Sequence, residues 1–372
     1  MPRILHIYKN YHPIVGGIEN HIKSLAEAEA RRGDDVTVLV VNTTGRTERT
    51  IHESVRVIKA ARAVEIASTP LSPAMLWEAA GIEADIINLH MPFPPGDLVI
   101  GSVQGNPALV VSYHSDVVRQ QHMLQLYRPL LERTLGSAGR IIVGSKRYRD
   151  SSPFLGPYAA KCRVVPYAVD ATRFSTLDNH EIDRLRQCWR GPVILSVGVL
   201  RYYKGLHILI AAMRELDATL VIVGGGPEEV HLRALVDQAG LGERIHFVGR
   251  VADDDLPSYY QAADIFVLAS HLRAEAFGIV LLEAMAAGLP LVTTEIGTAT
   301  SEINRHGLTG FVVPPNDAPA LARALQALMT NRGLREYLGQ QGRRLALEEH
   351  SVADMAARTA AVYREALAAY SP

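Results

Sequence analysis

Short apolar segments alternate with stretches of helical periodicity along this chain, and the alternation is run twice. In the first half the apolar runs fall at Ile4–Tyr8, Val36–Val41, Val55–Ile58, Ile86–Leu89, Leu109–Tyr113 and Arg140–Val143. Between the first two a helix fits Ile18–Arg31, with Ile18, Ile22, Leu25, Ala26 and Ala28 at near-helical spacing and Gly33 beyond its end. A second series follows the polar segment Asp170–Arg190. Its strands are Val193–Val197, Thr219–Val223, Ile245–Val248, Ile265–Leu268 and Leu291–Thr293, separated by helices at Gly205–Leu216, Glu228–Ala239, Asp255–Ala263 and Ile279–Ala287. Runs that are apolar throughout belong to strands buried on both faces, so each series predicts an open parallel sheet covered by helices. The chain therefore reads as two doubly wound α/β domains, 1–168 and 169–350. Ligands of such folds bind beyond the carboxyl ends of the strands, and two facing domains would make a cleft. The amphipathic C-terminal helix Ser351–Tyr370 reads as a packing helix, with the first domain as the candidate place for 351–372 to pack back on.

Composition agrees and removes other classes. The 372 residues suit two domains of about 100–200 residues each. With 48% hydrophobic and 21% charged residues, the chain is neither disordered nor fibrous. A net charge of −1 argues against a nucleic-acid partner, which calls for a strong basic excess. The average conceals a division: residues 1–168 hold 19 basic against 15 acidic residues, the remainder 19 against 24. The two cysteines, Cys162 and Cys188, have no CxxC or Cys/His context, which points to a reducing cytoplasm rather than a zinc or disulfide site. With no leader-like N-terminus and no apolar stretch of spanning length, a cytoplasmic protein is expected.

The most informative stretch is Glu275-Ala-Phe277-Gly278-Ile279-Val-Leu-Leu-Glu283, which follows a strand and turns helical near Gly278. A helix N-terminus at a strand end is a natural seat for a diphosphate, because free N–H groups and the dipole both favour anions. Glu283 would lie roughly 8 Å further along that helix. Flanking the seat, the two carboxylates can accept hydrogen bonds from sugar hydroxyls. On spacing alone, a capping Glu275 and a solvated Glu283 are equally acceptable. The loop Val197-Gly-Val-Leu-Arg201-Tyr-Tyr-Lys204-Gly205 leaves the first strand of the second series and opens a helix. There Arg201 can fork onto phosphate oxygens and Lys204 can supply a point charge, although in isolation two solvated cations explain it as well. Gly224-Gly225-Gly226-Pro227 at a strand exit permits close backbone approach by a ligand.

Taken together and in order, these motifs resemble the retaining glycosyltransferases of family 4 (group 1), over nearly the whole chain. The most specific element is E-x7-E, Glu275 to Glu283. Also similar are Pro13-Ile-Val15-Gly16-Gly17-Ile-Glu19, Tyr113-His114-Ser115-Asp116, the Arg201/Lys204 loop, the Gly224–Pro227 turn and Gly307–Pro314. The resemblance implies a GT-B fold, two Rossmann-like domains facing across a cleft, the first for the acceptor and the second for a nucleotide-sugar donor. Glu283 is then expected to hold the ribose hydroxyls, and Glu275 to face the donor sugar. Arg201, Lys204 and the backbone N–H groups of Phe277, Gly278 and Ile279 are expected to neutralise the diphosphate. Gly16 and Gly17 would let the first-domain loop approach closely, Gly225 would do so for the second, and main-chain atoms of Arg250 and Val251 would hold the base. His114 would touch the donor sugar, although a histidine satisfied locally at a strand end is the bland alternative. Asp116 could simply cap the next helix.

The resemblance also implies front-side displacement, in which a donor phosphate oxygen assists deprotonation of the acceptor and leaves on the same face. Glu275 then stabilises rather than attacks, in contrast to the covalent two-carboxylate route. No metal and no other cofactor are expected. Asp253-Asp254-Asp255 precedes Leu256-Pro257 and a helix, so capping explains it more simply than manganese. The His114–Gln121 stretch is similar to bacterial polysaccharide mannosyltransferases, which makes GDP-mannose the first expectation for the donor and UDP-sugars the next. The acceptor is expected to be a glycan or lipid-linked oligosaccharide. A basic stretch over 119–149, with Arg119, Arg128, Arg133 and Arg140 interleaved with leucines, is by default a solvated helix face. The sharper reading is peripheral contact with anionic lipid at the inner face of the membrane. Two rivals stay open: a nucleotide-sugar epimerase of the same fold, and a nucleotide-binding module without catalysis.

Overall fold

The computed structural model of the chain describes all residues except 15, 67–68, 117–120, 175–178 and 371–372, and for 121–126 the backbone alone. The candidate positions Val15 and Arg119 lie outside the described residues. Two compact units form, one from Met1–Tyr167 with Val352–Pro372, the other from Ala168–Ser351.

The first unit contains β1 (Arg3–Ile7), β2 (Asp35–Val41), β3 (Glu48–His52), β4 (Val55–Ala60), β5 (Val64–Ile66), β6 (Thr69–Leu71), β7 (Ile86–Met91), β8 (Ala108–Tyr113), β9 (Arg140–Val143) and β10 (Cys162–Val164). Eight of them make one sheet in the order β10-β9-β8-β7-β1-β2-β4-β3, while β5 and β6 pair separately. Every pairing in the large sheet is parallel except β3 with β4. The wholly parallel sheet expected from the apolar runs is corrected by β3, which is exposed at all five residues. An edge strand that buries neither face carries no apolar signature, and its charged side chains blunt the open edge. The helix Gly17–Arg31 covers one face, burying Ile22, Leu25 and Ala26. The C-terminal helix Val352–Tyr370 packs against that helix and against β8 and β9. Its Glu365 takes Arg140 and Arg163 at 2.8 Å each, and the Ala356 carbonyl accepts from Arg32.

The second unit contains β11 (Val193–Val197), β12 (Thr219–Val223), β13 (Ile245–Gly249), β14 (Ile265–Leu268), β15 (Leu291–Thr294) and β16 (Gly310–Val313). They form an all-parallel sheet in the order β13-β12-β11-β14-β15-β16. Chain order runs outward from β11 on both sides, so the loops leaving β11 and β14 flank the topological switch point, where doubly wound sheets bind ligands. The core is apolar and continuous: Ile194, Leu220, Ile265 and Val292 meet Leu209, Leu321 and Leu325 from the covering helices. Among the described residues, no helix is long and apolar enough to cross a membrane.

Candidate active site

In the second unit the site is built on the loops leaving β11 and β14. Gly198 leaves β11 at φ +144°, and Tyr202–Lys204 form a single 3₁₀ turn. Gly205 then takes the left-handed conformation, φ +67°, and opens the helix Leu206–Ala212. A Cβ there would stand 2.0 Å from the Ala269 carbonyl oxygen, so only glycine lets this loop press against the end of β14. From the other side, the amide of His271 donates to the Tyr203 carbonyl at 2.9 Å.

That closeness brings Lys204 and Glu275 together. Lys204 Nζ donates to Glu275 Oε2 at 2.5 Å, and Ser270 Oγ donates to the same oxygen at 3.1 Å. Both side chains of the ion pair are nearly buried, 13% and 10% exposed. Burial works to lower the Lys204 pKa, but the charge of Glu275, helped by Tyr203, outweighs it, and the ammonium is held protonated. Arg201, one turn earlier, is exposed. Three residues past Glu275, Gly278 stands at φ +81° as the cap of the helix Ile279–Ala286, with no side-chain cap on its first amides. Phe277 is buried beneath it. A cation pair and an uncapped helix end thus sit on neighbouring loops, as an anion seat requires.

Glu283 faces inward rather than to solvent, 8% exposed, and accepts from the Tyr260 hydroxyl at 2.7 Å. Burial pushes the Glu283 carboxyl up, with the Tyr260 hydrogen bond and Arg173 opposing that shift. Sequence reasoning missed Tyr260 and Ser270, since neither stands in the E-x7-E motif and only the fold brings them to it. The glycine turn needs a correction in detail. Gly224 and Gly226 are the tight positions, a Cβ falling 2.0 Å from the Gly198 oxygen and 2.5 Å from the Leu200 oxygen. Gly225 has nothing closer than the Arg250 side chain at 3.6 Å. Arg250 is exposed and Val251 partly so, just beyond β13. In Asp253-Asp254-Asp255 capping is not what the structure shows. Asp255 stands at the cap position without a side-chain cap, and Asp253 pairs with Arg173 at 3.3 Å.

The remaining candidates belong to the first unit. Gly16 caps the helix that begins at Gly17, and a Cβ on it would meet the Glu19 carboxylate at 2.3 Å. His114 directly follows β8 and is buried, with Nε2 against His90 Nδ1 at 2.8 Å and Nδ1 against the Tyr167 hydroxyl. Both ring nitrogens are therefore engaged inside the unit. Asp116 Oδ1 accepts from Tyr113 and Ser152; whether it caps the next helix falls on 117–120, outside the described residues. His21, His90 and His114 are grouped closely enough to hold a metal ion, the one such cluster among the described residues. In the basic stretch, Arg128 pairs with Glu132, Arg140 with Glu365 and Arg149 with Asp150, while Leu131 and Leu135 are buried.

With this geometry in hand, comparison with known proteins gives the class. Residues 15–173 match the model of Glycosyltransferase Family 4, and residues 187–345 match that of Glycosyl transferases group 1. The chain belongs to this glycosyltransferase family and is an enzyme of the nucleotide-sugar-dependent GT-B type. It is 40% identical to O-antigen chain mannosyltransferase C of Escherichia coli over 95% of both chains. To D-rhamnosyltransferase WbpZ of Pseudomonas aeruginosa it is 39% identical, over 91% of this chain and 89% of that one. Among solved structures the fold is similar to sucrose-phosphate synthase of Thermosynechococcus elongatus, TM-score 0.84 at 23% identity, covering 99% and 100% of the two chains. It is also similar to Anabaena HepE, solved with UDP and glucose, TM-score 0.79 at 20% identity, covering 97% and 99%. The fold expected from the motifs, two Rossmann-like domains of GT-B type, is the one found.

Proposed function

We propose that this enzyme transfers a mannosyl residue from GDP-mannose to a glycan or lipid-linked oligosaccharide during polysaccharide synthesis, with retention of anomeric configuration. The observation that carries the reading is the Lys204–Glu275 pair beside the uncapped helix at Gly278. It supplies a cation for the diphosphate and a carboxylate for the sugar within one hydrogen bond of each other. The name of one relative supports the sugar, a mannosyltransferase of O-antigen chains; the other, a D-rhamnosyltransferase, supports transfer of a hexose but names a different one.

In this reading the donor diphosphate lies on the helix Ile279–Ala286 and is neutralised by Lys204 and Arg201, with the backbone amides of Phe277, Gly278 and Ile279 beneath it. Glu283, oriented by Tyr260, takes the ribose hydroxyls, and the main chain at Arg250 and Val251 takes the base. As the sugar–phosphate bond breaks, charge grows on the leaving oxygen and Lys204 follows it. Glu275 holds the sugar hydroxyls, and a phosphate oxygen receives the acceptor proton, so no covalent adduct and no metal is required. Gly16, Gly17 and His114 serve from the first unit. A lipid-borne acceptor puts the work at the cytoplasmic face of a membrane, with the basic stretch 119–149, in which Arg128, Arg133 and Arg147 are exposed, against anionic lipid; flotation with anionic and neutral liposomes tests this part alone.

The reading is tested by thermal shift with GDP, UDP, ADP and dTDP, followed by turnover on the matching nucleotide sugars. We expect GDP to stabilise most and GDP-mannose to be consumed only when an acceptor is present. Preference for UDP would replace the donor, and epimerisation without transfer would overturn the reading.

A further inference from the structure

Four of the chain's histidines and one glutamate of the first unit form a buried cluster that the reaction, as read above, uses only through His114. Three of these histidines are placed by sheet register. His6 on β1 is opposite Asn88 on β7, and His90, two residues beyond Asn88, is opposite Ser112 on β8. His114 stands two residues beyond Ser112. Residues two apart in a strand share a face, so the three rings form a stair that climbs one face of the sheet to its carboxyl edge, where ligands of doubly wound folds bind.

The rings are hydrogen-bonded in series. Glu29 Oε2 meets His6 Nε2 at 2.7 Å, His6 Nδ1 meets His90 Nε2 at 2.9 Å, and His90 Nδ1 meets His114 Nε2 at 2.8 Å. His114 Nδ1 meets the Tyr167 hydroxyl. Glu29 and His6 are 1% and 0% exposed. A neutral imidazole has one donor and one acceptor nitrogen, whereas an ionised carboxylate only accepts. With His6 neutral, the direction of the whole series follows from that one end. His6 donates from Nε2 to Glu29 and accepts at Nδ1. His90 and His114 must then also carry their hydrogens on Nε2, and Tyr167 must donate to His114 Nδ1.

We propose that Glu29, acting through His6 and His90, is a positioning residue that fixes the tautomer of His114 and with it the direction of the Tyr167 hydroxyl. The kinetic consequence rests on the reading of His114 as sugar-facing; the tautomer does not. A donor in place of the Glu29 carboxylate reverses the series: His6 then accepts at Nε2 and donates from Nδ1, and His90 and His114 keep one hydrogen each but hold it on Nδ1.

The titratable groups around the series leave it this control. Tyr8, directly after β1, with Glu19 beside it, Tyr167, and Tyr363 from the C-terminal helix are all kept protonated, chiefly by burial. Glu29 itself also raises Tyr363, and Asp34 adds to this. His21 from the helix Gly17–Arg31 is driven down to about 3 by burial and His6, so it stays neutral. Burial likewise holds His90 and His114 neutral. A metal on His21, His90 and His114 would need a bare nitrogen from each ring, and His90 and His114 have both of theirs in the series.

The test is ¹⁵N spectroscopy of histidine-labelled full-length enzyme at about pH 8, above the ordinary histidine range, which reports which ring nitrogen carries hydrogen. We expect His90 and His114 both protonated on Nε2, unchanged in Tyr167→Phe, and both shifting toward Nδ1 in Glu29→Gln, whose amide can donate. In Glu29→Gln we expect kcat to fall about ten-fold or more with donor KM within about two-fold, the pattern of a mis-set histidine tautomer. Wild-type rings protonated on Nδ1, a Glu29→Gln spectrum like wild type, or stoichiometric zinc bound by the rings would overturn the proposal. A switched tautomer with unchanged kcat would leave the proposal standing and remove His114 from the reaction. Should Glu29→Gln not fold, the wild-type and Tyr167→Phe spectra still decide the direction of the series.

Discussion

Lys204 Nζ and Glu275 Oε2 are hydrogen-bonded at 2.5 Å although 71 positions separate them in the chain. Each comes from a loop at the carboxyl edge of the second sheet, and Gly205 against Ala269 holds those loops together. In the free enzyme the two charges satisfy each other. In the proposed reaction a bound diphosphate would offer Lys204 a second anion and leave Glu275 free to take sugar hydroxyls, so that one contact would couple donor binding to the sugar site.

Replacing Glu275 by Gln removes the charge but keeps the shape. We expect kcat to fall about 100-fold or more, on the scale of losing one preorganised electrostatic contact, while GDP affinity changes little. Stopped-flow turnover together with calorimetric binding of GDP separates the two quantities. Mass spectrometry of the enzyme under turnover should show no glycosyl adduct on Glu275.

Lys204→Ala should act on binding. Hydrogen bonds to charged groups are worth about 1.5–3 kcal/mol, so affinity for the nucleoside diphosphate should drop about ten- to a hundred-fold. Nucleoside monophosphate binding should hardly change. Equal losses for both nucleotides would show that Lys204 does not meet the outer phosphate.

Tyr260→Phe leaves the buried Glu283 without its hydroxyl donor. Burial already raises this carboxyl and the Tyr260 hydrogen bond opposes the rise, so removing the hydroxyl raises it further. Ribose hydroxyls need the ionised carboxylate as acceptor. If Glu283 holds the ribose as proposed, donor affinity is present above the Glu283 pKa and lost as pH falls through it, and in the variant that loss should begin at higher pH. Donor KM measured across the acid range reads this directly. A KM–pH curve identical to wild type would mean that Glu283 does not hold the donor.

Two glycines of the site should respond oppositely to alanine. At Gly205 the backbone is left-handed and a Cβ would overlap the Ala269 oxygen. A left-handed non-glycine residue alone costs about 1 kcal/mol or more, so Gly205→Ala should lower the melting temperature and activity together. Gly225 has ordinary room for a Cβ, and Gly225→Ala should melt as wild type does. If that variant nevertheless loses donor affinity, the ligand itself needs the space.

Much of the fold was legible because buried parallel strands have one composition throughout. Val193–Val197, Thr219–Val223 and Ile265–Leu268 were placed to the residue, since each is apolar on both faces. Strands without that burial were invisible: β3, Glu-Arg-Thr-Ile-His, is exposed along its length, and β10 has three residues. At the site, the motif residues stand on two loops that chain order predicts. Tyr260, Ser270 and the histidine stair were not legible, because a single histidine in an apolar strand gives no periodic signal. Only the register of β1, β7 and β8 turns His6, His90 and His114 into a series. The same limit explains Gly225: sequence marks a run of three glycines but not which two of them face a carbonyl.

The proposed reaction is retaining, metal-independent transfer from a nucleotide-linked mannose. Its most direct test is proton NMR of the product formed from GDP-mannose and lipid-linked or polysaccharide acceptors with EDTA present. We expect one new glycosidic linkage with the anomeric configuration of the donor, formed at an undiminished rate. An inverted linkage, or transfer abolished by the chelator, would contradict it.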